Sequence, residues 1–418
     1  MREMKDSGIE WVGKVPATWK IMPNKYIMTK KKVIKEVYEG ESIISLSMNG
    51  VIVRDLEAGG KMPKTFDGYQ IVYPGNLLMC LFDYDVTPRC IGLIKNYGVT
   101  SPAYSQFVMN NGNYSGYYYY YYLMVDHTKA LLHLAKNLRH SFTEEQLGAI
   151  LAPVPTIEEQ QQIANFLDTK CSEIDATAED IQKEISLLEE YKKSVITEAV
   201  TKGLNSDAEM KDSGIAWIGE IPKDWKVDKI KYHLKRNEPK NPGNAIVLSV
   251  YRDYGVVPKD SRDDNHNVTS EDTSKYKYVK KGQLVINKMK AWQGSLAVSD
   301  YDGIVSPAYF IYDFIDEEYN HKYFHYLVRS CYKEEFKRIS GGIREGQWDL
   351  SPEGFSNTLV LLPSIEEQNE ILDYILQKEI EIDAIIADKK RQRGILTEYK
   401  KSLIYEYVTG KKEVPVHE

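Results

Sequence analysis

Thr156-Ile157-Glu158-Glu159-Gln160, with its closing counterpart Glu190-Tyr191-Lys192-Lys193-Ser194, is the stretch that decides how this chain is built. No proline or glycine interrupts it, and Leu167, Ile174, Ile181, Leu188 and Val195 recur every seven residues. Cys171, Ala178 and Ile185 lie four residues after members of that series, so the apolar positions form a heptad seam. Thr156 followed by Glu159 has capping-box spacing, in which side chain and backbone satisfy each other's orphan donors. Running on to Gly203, the stretch predicts roughly 44 helical residues, a rod of about 65 Å at 1.5 Å per residue. A seam of that length needs an apolar partner along it.

The same chain supplies one. Ser364-Ile365-Glu366-Glu367-Gln368 and Glu398-Tyr399-Lys400-Lys401-Ser402 repeat both ends, each 208 residues downstream. The second seam is less regular: Leu372, Ile375, Ile382, Ile386, Leu396 and Leu403 are apolar, but Lys389 and Arg393 interrupt it. The two rods are expected to pair, with a looser or more polar middle.

A second repeat lies at the start. Met4-Lys5-Asp6-Ser7-Gly8-Ile9-Glu10-Trp11 returns 206 residues later as Met210-Lys211-Asp212-Ser213-Gly214-Ile215-Ala216-Trp217. The match continues through Gly13, Pro16 and Trp19, matched by Gly219, Pro222 and Trp225. Its prolines and glycines exclude a regular helix and predict an irregular strap pinned by tryptophans. Further landmarks pair inside the repeats: Val99-Thr100-Ser101-Pro102-Ala103-Tyr104 with Ile304-Val305-Ser306-Pro307-Ala308-Tyr309, and glycine turns at Gly75 and Gly282 feeding short apolar strands. Six consecutive tyrosines, Tyr117 to Tyr122, are β-formers by propensity. Their counterpart His321–Arg329 reads as a helix, so both are assigned helical. The expected order is strap and compact domain over 1–155, helix over 156–203, linker over 204–209, strap and compact domain over 210–363, helix over 364–410 and a tail over 411–418.

The chain has 418 residues and a formal net charge of −7. That charge is unevenly distributed. Residues 1–155 carry 17 basic against 14 acidic side chains and 210–363 carry 23 against 22. The helical segments 156–209 and 364–418 carry 5 against 13 and 9 against 12. The acidity lies mostly on the rods, so it does not exclude phosphate contact by patches on the compact domains. Apolar runs are too short to span a membrane, and the start leads into no apolar segment of a secretory signal. Four cysteines (Cys80, Cys90, Cys171, Cys331) lack metal-knuckle spacing, which points to a reducing, cytoplasmic setting.

Catalytic motifs are weak. Ser101-Pro102-Ala103-Tyr104 lacks the second proline of an amino-methyltransferase motif, and no phosphate-binding Gly-Lys-Ser/Thr loop occurs. Glu238-Pro239-Lys240 is a nuclease-like triplet without an upstream acidic partner, and His127, His133 and His140 are irregularly spaced. No catalytic or metal-ligating residue is assigned. Binding residues are more promising: Lys31, Arg54, Lys64 and Arg89 in the first domain, and Tyr251, Arg252, Lys288, Lys290, Trp292, Gln293, Arg344 and Gln347 in the second. Cations fix phosphates, whereas Arg and Gln read base edges through paired hydrogen bonds.

Taken together, these motifs resemble the specificity subunit of a type I restriction-modification enzyme. The carrying residues are the straps ending at Trp19 and Trp225, Val305–Tyr309 with its copy, Asn287–Ser295, Gly341–Trp348, and Leu362–Gln368. The resemblance implies an α+β fold: two pseudo-twofold-related mixed α/β target-recognition domains separated by two long antiparallel helices forming a coiled coil. It implies that each domain reads one half of an asymmetric, bipartite site on double-stranded DNA, with the helices setting the spacer. Half-sites one helical turn apart would lie about 34 Å from each other. Two methyltransferase subunits, bringing S-adenosylmethionine, and restriction/translocase subunits, bringing ATP and Mg, are the partners implied. This chain would itself be non-catalytic and bind no cofactor. Two other readings stay open: a specificity subunit serving a solitary methyltransferase, and a coiled-coil scaffold without a DNA role.

Overall fold

The computed structural model describes residues 2–57, 63–135, 140–243, 245–252, 254–261, 272–342 and 348–415. The chain divides into two compact units, one of Met1–Gln182 with Lys390–Glu418, the other of Lys183–Lys389.

In the first unit, strand β1 (Met28–Lys31) is followed by a hairpin of β2 (Ile44–Ser47) and β3 (Gly50–Val53). Then come β4 (Leu77–Met79), β5 (Ile91–Leu93), β6 (Ser105–Met109) and helix α1 (Ser115–His127), and the long helix α2 (Ile157–Lys202) begins in this unit. The second unit repeats the series as β7 (Leu234–Asn237), hairpin β8 (Leu248–Tyr251) and β9 (Gly255–Pro258), β10 (Leu284–Asn287), β11 (Leu296–Val298), β12 (Tyr309–Phe314) and helix α3 (His321–Cys331). The long helix α4 (Ile365–Val408) begins there. The four-stranded sheets have the same antiparallel order, β1-β6-β4-β5 and β7-β12-β10-β11. The α+β class and the duplication are therefore borne out.

Tyrosines 117–122 form a helix because packing overrides propensity. Tyr117, Tyr118, Tyr120, Tyr121 and Tyr122 are all buried, so α1 is enclosed nearly all round. Hydroxyls find partners: Tyr117 donates to Val408 O at 2.8 Å, Tyr118 to Pro153 O at 3.3 Å and Tyr120 to Asp168 Oδ1 at 2.7 Å. In the second unit Tyr323 reaches Val200 O at 3.1 Å, the counterpart of the Tyr117 bond.

The long helices pair through their seams. Leu167, Cys171, Ile174, Ile181, Ile185 and Val195 are buried, as are Leu372, Ile375, Ile382, Ile386 and Leu403. Within the first unit the Phe166 and Tyr407 rings lie 4.5 Å apart, Lys400 pairs with Asp175 at 2.6 Å, and Arg393 donates to Gln182. Within the second, Lys192 bridges Glu379 at 3.2 Å and Asp383 at 2.8 Å, and Lys389 pairs with Glu184 at 2.5 Å. Partner numbers fall along α4 as they rise along α2, so the pairing is antiparallel in each unit. Lys389 and Arg393, which break the apolar seam, reach acidic or amide partners on α2: the middle is polar, as expected.

The repeated Glu-Glu-Gln at each helix start locks three elements together. Glu159 Oε2 accepts from Trp19 Nε1 at 3.1 Å and, with Thr156, completes the capping box. Glu367 Oε2 accepts from Trp225 Nε1 at 2.8 Å. Gln160, fully buried, accepts from Tyr114 N at 2.7 Å and donates to Asn113 Oδ1 and Pro155 O. Gln368 accepts from Asn320 N at 2.8 Å and donates to Glu318 O and Pro363 O. Of each strap's tryptophans only Trp19 and Trp225 are buried; Trp11 is half-buried and Trp217 is exposed. The pin is therefore the second tryptophan alone. Gly410 and Gly203, both in the left-handed region, let the other helix end pass close to it: a β-carbon on Gly410 would stand 2.8 Å from Trp19 and 2.5 Å from Pro16.

Candidate nucleic-acid interface

Three stretches meet in the second unit. The first is the tip of the β8–β9 hairpin, where Tyr251 pairs with Gly255 and Arg252 lies in the connecting loop. The second is the loop after β10, Asn287 to Gly294, closed by a short turn of helix at Ala291–Gln293 that ends on left-handed Gly294. A β-carbon on Gly294 would stand 3.8 Å from Arg252 Cγ, so the Arg252 stem lies against this loop. The third is the strand pair Ser340–Gly341 with Asp349–Leu350. It is joined to the second by Leu350 N donating to Lys288 O at 2.9 Å and by a Lys288–Asp349 ion pair of 2.7 Å. The Trp292 and Trp348 rings sit 5.5 Å apart, and Trp292 Nε1 donates to Met289 O at 3.1 Å. Met289 and Lys290 are exposed beside them. Five of the sequence-assigned residues, Arg252, Lys288, Lys290, Trp292 and Gln293, are thus carried on adjoining loops, next to Tyr251. Arg344 and Gln347 fall outside the described residues.

The first unit's assigned residues sit on separate elements. Lys31 is on strand β1, its ammonium 3.7 Å from the centre of the Tyr73 ring. Arg54 follows β3, its backbone N–H bonded to Ile43 O, and Lys64 is exposed in the loop before the strand Gln70–Val72. Arg89 is occupied structurally. Its Nη1 donates to Met48 O at 3.2 Å, its Nε to Ile91 O at 3.1 Å and its Nη2 to the Tyr119 hydroxyl. Beside it a cleft of about 500 Å³ is lined by Asn49, Arg89, Lys95, Tyr119, His127 and Lys400 among others.

The weak catalytic candidates take structural places. Ser101 and Ser306 open matching turns, with Tyr104 N donating to Ser101 O at 3.2 Å and Tyr309 N to Ser306 O at 3.0 Å. Lys277 at 3.2 Å and Arg236 hold the Glu238 carboxylate below its ordinary range. His140 pairs with Asp85 at 2.8 Å, and His133 lies against Ala130 O. Among the described residues one group has metal-ligand types close together: His233, Asp316 and Glu318. There His233 Nδ1 lies 2.9 Å from Asp316 Oδ2, with Asp228 3.4 Å from Nε2. The thiols of Cys80, Cys90 and Cys331 are raised by burial. No described helix is long and apolar enough to cross a membrane.

Sequence reading missed Arg329. From α3 its Nη1 donates to Leu296 O at 3.1 Å and its Nη2 to Arg252 O. An arginine in an amphipathic helix looks like solvated surface, and nothing local signals this reach.

No family model matches the chain. It is 26% identical over 287 residues to the type I restriction enzyme MjaVIII specificity subunit of Methanocaldococcus jannaschii, covering 63% of each protein. It is 38% identical over 87 residues to the putative type I restriction enzyme MjaX specificity subunit of the same organism, 21% of this chain and 19% of that one. The chain therefore spans less than two thirds of the length of these relatives. Among solved structures, a chain from work on complex assembly and conformational transition of the type I R-M system superposes with a TM-score of 0.68 at 12% identity, over 95% of this chain and 99% of that one. The HsdS subunit from Thermoanaerobacter tengcongensis does so with a TM-score of 0.51 at 13% identity, over 95% and 98%. At such identities the structures speak for the fold. The resemblance to type I specificity subunits read from the motifs holds in sequence and in fold.

Proposed function

We propose that this chain is a non-catalytic specificity subunit that reads a bipartite, asymmetric site on double-stranded DNA, one half-site per unit. The observation carrying this is the convergence in the second unit of Arg252, Lys288, Lys290, Gln293 and the Trp292–Trp348 pair on adjoining loops. Cations, of which Arg252 and Lys290 are exposed, and an amide beside aromatic faces are the chemistry that fixes phosphates and reads base edges. The first unit repeats the framework with different loop residues, which supports two different half-sites. The acidic outer faces of the helices sit poorly against phosphates and favour protein contact, so they are the docking surface for two methyltransferase subunits and for restriction/translocase subunits. S-adenosylmethionine, ATP and Mg belong to those partners, and the setting is cytoplasmic.

The test is methylome sequencing of a host expressing this chain with its methyltransferase subunits. A bipartite motif with unlike halves is expected; no new methylated motif overturns the reading. Deleting one heptad from each long helix is expected to change the spacer, and an unchanged spacer sinks the ruler role. Co-purification with methyltransferase alone favours the solitary-methyltransferase reading. Unaltered DNA affinity and methylation after alanine replacement of Lys288, Lys290 and Arg344 favours a scaffold.

A further inference from the structure

The two hairpins are held in equivalent places by residues that are not equivalent. Each is tethered at its base by a parallel bridge, Ile43 to Val99 and Val247 to Ile304. A glycine opposite each base permits the approach: a β-carbon on Gly98 would stand 2.3 Å from Ser42 O, and one on Gly303 2.6 Å from Ile246 O. At the other end an arginine guanidinium joins the tip to the neighbouring strand. Arg89, from the loop before β5, bonds Met48 O at the tip and Ile91 O at the start of β5. Arg329, from helix α3, bonds Arg252 O at the tip and Leu296 O at the start of β11. In both hairpins the residue closing the tip is a left-handed glycine, Gly50 or Gly255, and the guanidinium lies beside it.

What differs is the tip. Ser47 pairs with Gly50, so the first tip is the two-residue loop Met48-Asn49, both exposed, Met48 at 74%. Tyr251 pairs with Gly255, so the second is one residue longer and carries exposed Arg252 and Tyr254. A two-stranded ribbon fits the major groove, where Asn matches adenine and Arg matches guanine.

We propose that the two hairpin tips are the base-reading elements that make the half-sites unlike, and that Arg89 and Arg329 are positioning residues that aim them rather than contacts to DNA. This rests on the DNA-reading function proposed above. A guanidinium spanning two carbonyls cannot be replaced by a lysine ammonium, which offers no planar fork.

The test uses the chain assembled with its methyltransferase subunits, with methylated motifs and oligonucleotide binding as readouts. Arg252→Ala is expected to lose roughly tenfold to hundredfold discrimination at one position of one half-site, leaving the other half-site intact. Asn49→Ala does the same in the opposite half-site. Arg329→Lys relaxes the same half-site as Arg252→Ala, and Arg89→Lys the same one as Asn49→Ala, without altering the salt dependence of binding. The half-site still read reports that the complex is folded. Because lysine keeps the charge, the neutral variants Arg89→Met and Arg329→Met test for a phosphate contact: a salt slope reduced by about one in either overturns the positioning role. Tip variants that leave both half-sites unchanged overturn the hairpins as readers while DNA reading stands. A wild-type complex with no motif removes both.

Discussion

Replacing Gln368 by methionine tests how the long helix α4 is tied to its compact domain. The side chain is fully buried and holds three backbone groups: Asn320 N at 2.8 Å, Glu318 O at 2.7 Å and Pro363 O at 3.0 Å. Methionine keeps the volume and removes every hydrogen bond, so the cost comes from stranded polar groups rather than a cavity. Pro363 is buried and Asn320 half-buried, and an unsatisfied buried group costs about 1–3 kcal/mol. Glu318 is exposed, so water replaces most of its bond. The sum is on the order of 3 kcal/mol. For a unit of this size that lowers the melting midpoint by roughly 6–12 °C. The loss falls on the start of α3, because Asn320 caps that helix through its side chain. Native-state hydrogen exchange at the Asn320 amide is therefore expected to quicken by about a hundredfold, the equivalent of that energy. A midpoint within 1 °C of wild type, with Asn320 protection unchanged, would refute the claim that this glutamine holds the domain to the rod.

Two further outcomes follow from the same geometry. Gly410→Ala combines a left-handed backbone with a β-carbon 2.5 Å from Pro16, whereas Gly214→Ala meets nothing within 4 Å. Denaturant midpoints should show a loss of about 1–2 kcal/mol for Gly214→Ala and at least 2 kcal/mol more for Gly410→Ala. Burial pushes the His325 imidazole down to about 3, and as a neutral ring its Nδ1 accepts from Val298 N at 3.1 Å. The folded value lies below the unfolded one, so the unfolded chain takes up the proton first as pH falls. Its contribution is complete above pH 6.5 and declines below it at about 1.4 kcal/mol per unit. Between pH 6.5 and 5 the wild type should therefore lose about 2 kcal/mol more than His325→Asn in denaturant titrations. Parallel pH profiles would contradict this.

Much of the architecture is legible in the residues. The heptads from Leu167 to Val195 bury as spaced, and the duplicated Thr/Ser-Ile-Glu-Glu-Gln and strap motifs mark two equivalent units. Even the polar middle follows from Lys389 and Arg393, because a seam position occupied by a charge must find a partner or water. The tyrosine run shows where local propensity fails. Residues that favour strands form α1 because the surrounding core covers nearly every face and offers two carbonyls and a carboxylate to the hydroxyls of Tyr117, Tyr118 and Tyr120. The counterpart stretch in the second copy carried the right assignment.

The candidate site was only partly legible. Asn287–Gly294 is contiguous, so its cation and aromatic residues advertise themselves. Arg89 looked like another exposed cation, yet three of its donors are spent on Met48 O, Ile91 O and the Tyr119 hydroxyl. Repeats, seams and caps depend on neighbours a few residues apart or on sequence that recurs, and these the chain spells out by itself: two units, two rods, their pairing and their helix caps. Which side chains meet across 77 residues, as Arg329 meets the Arg252 carbonyl, depends on how the strands and helix pack, and only the tertiary structure decides it. That packing ties Arg89, one of the residues assigned from sequence, to the carbonyls of Met48 and Ile91, and brings the unremarked Arg329 to the matching place in the second unit.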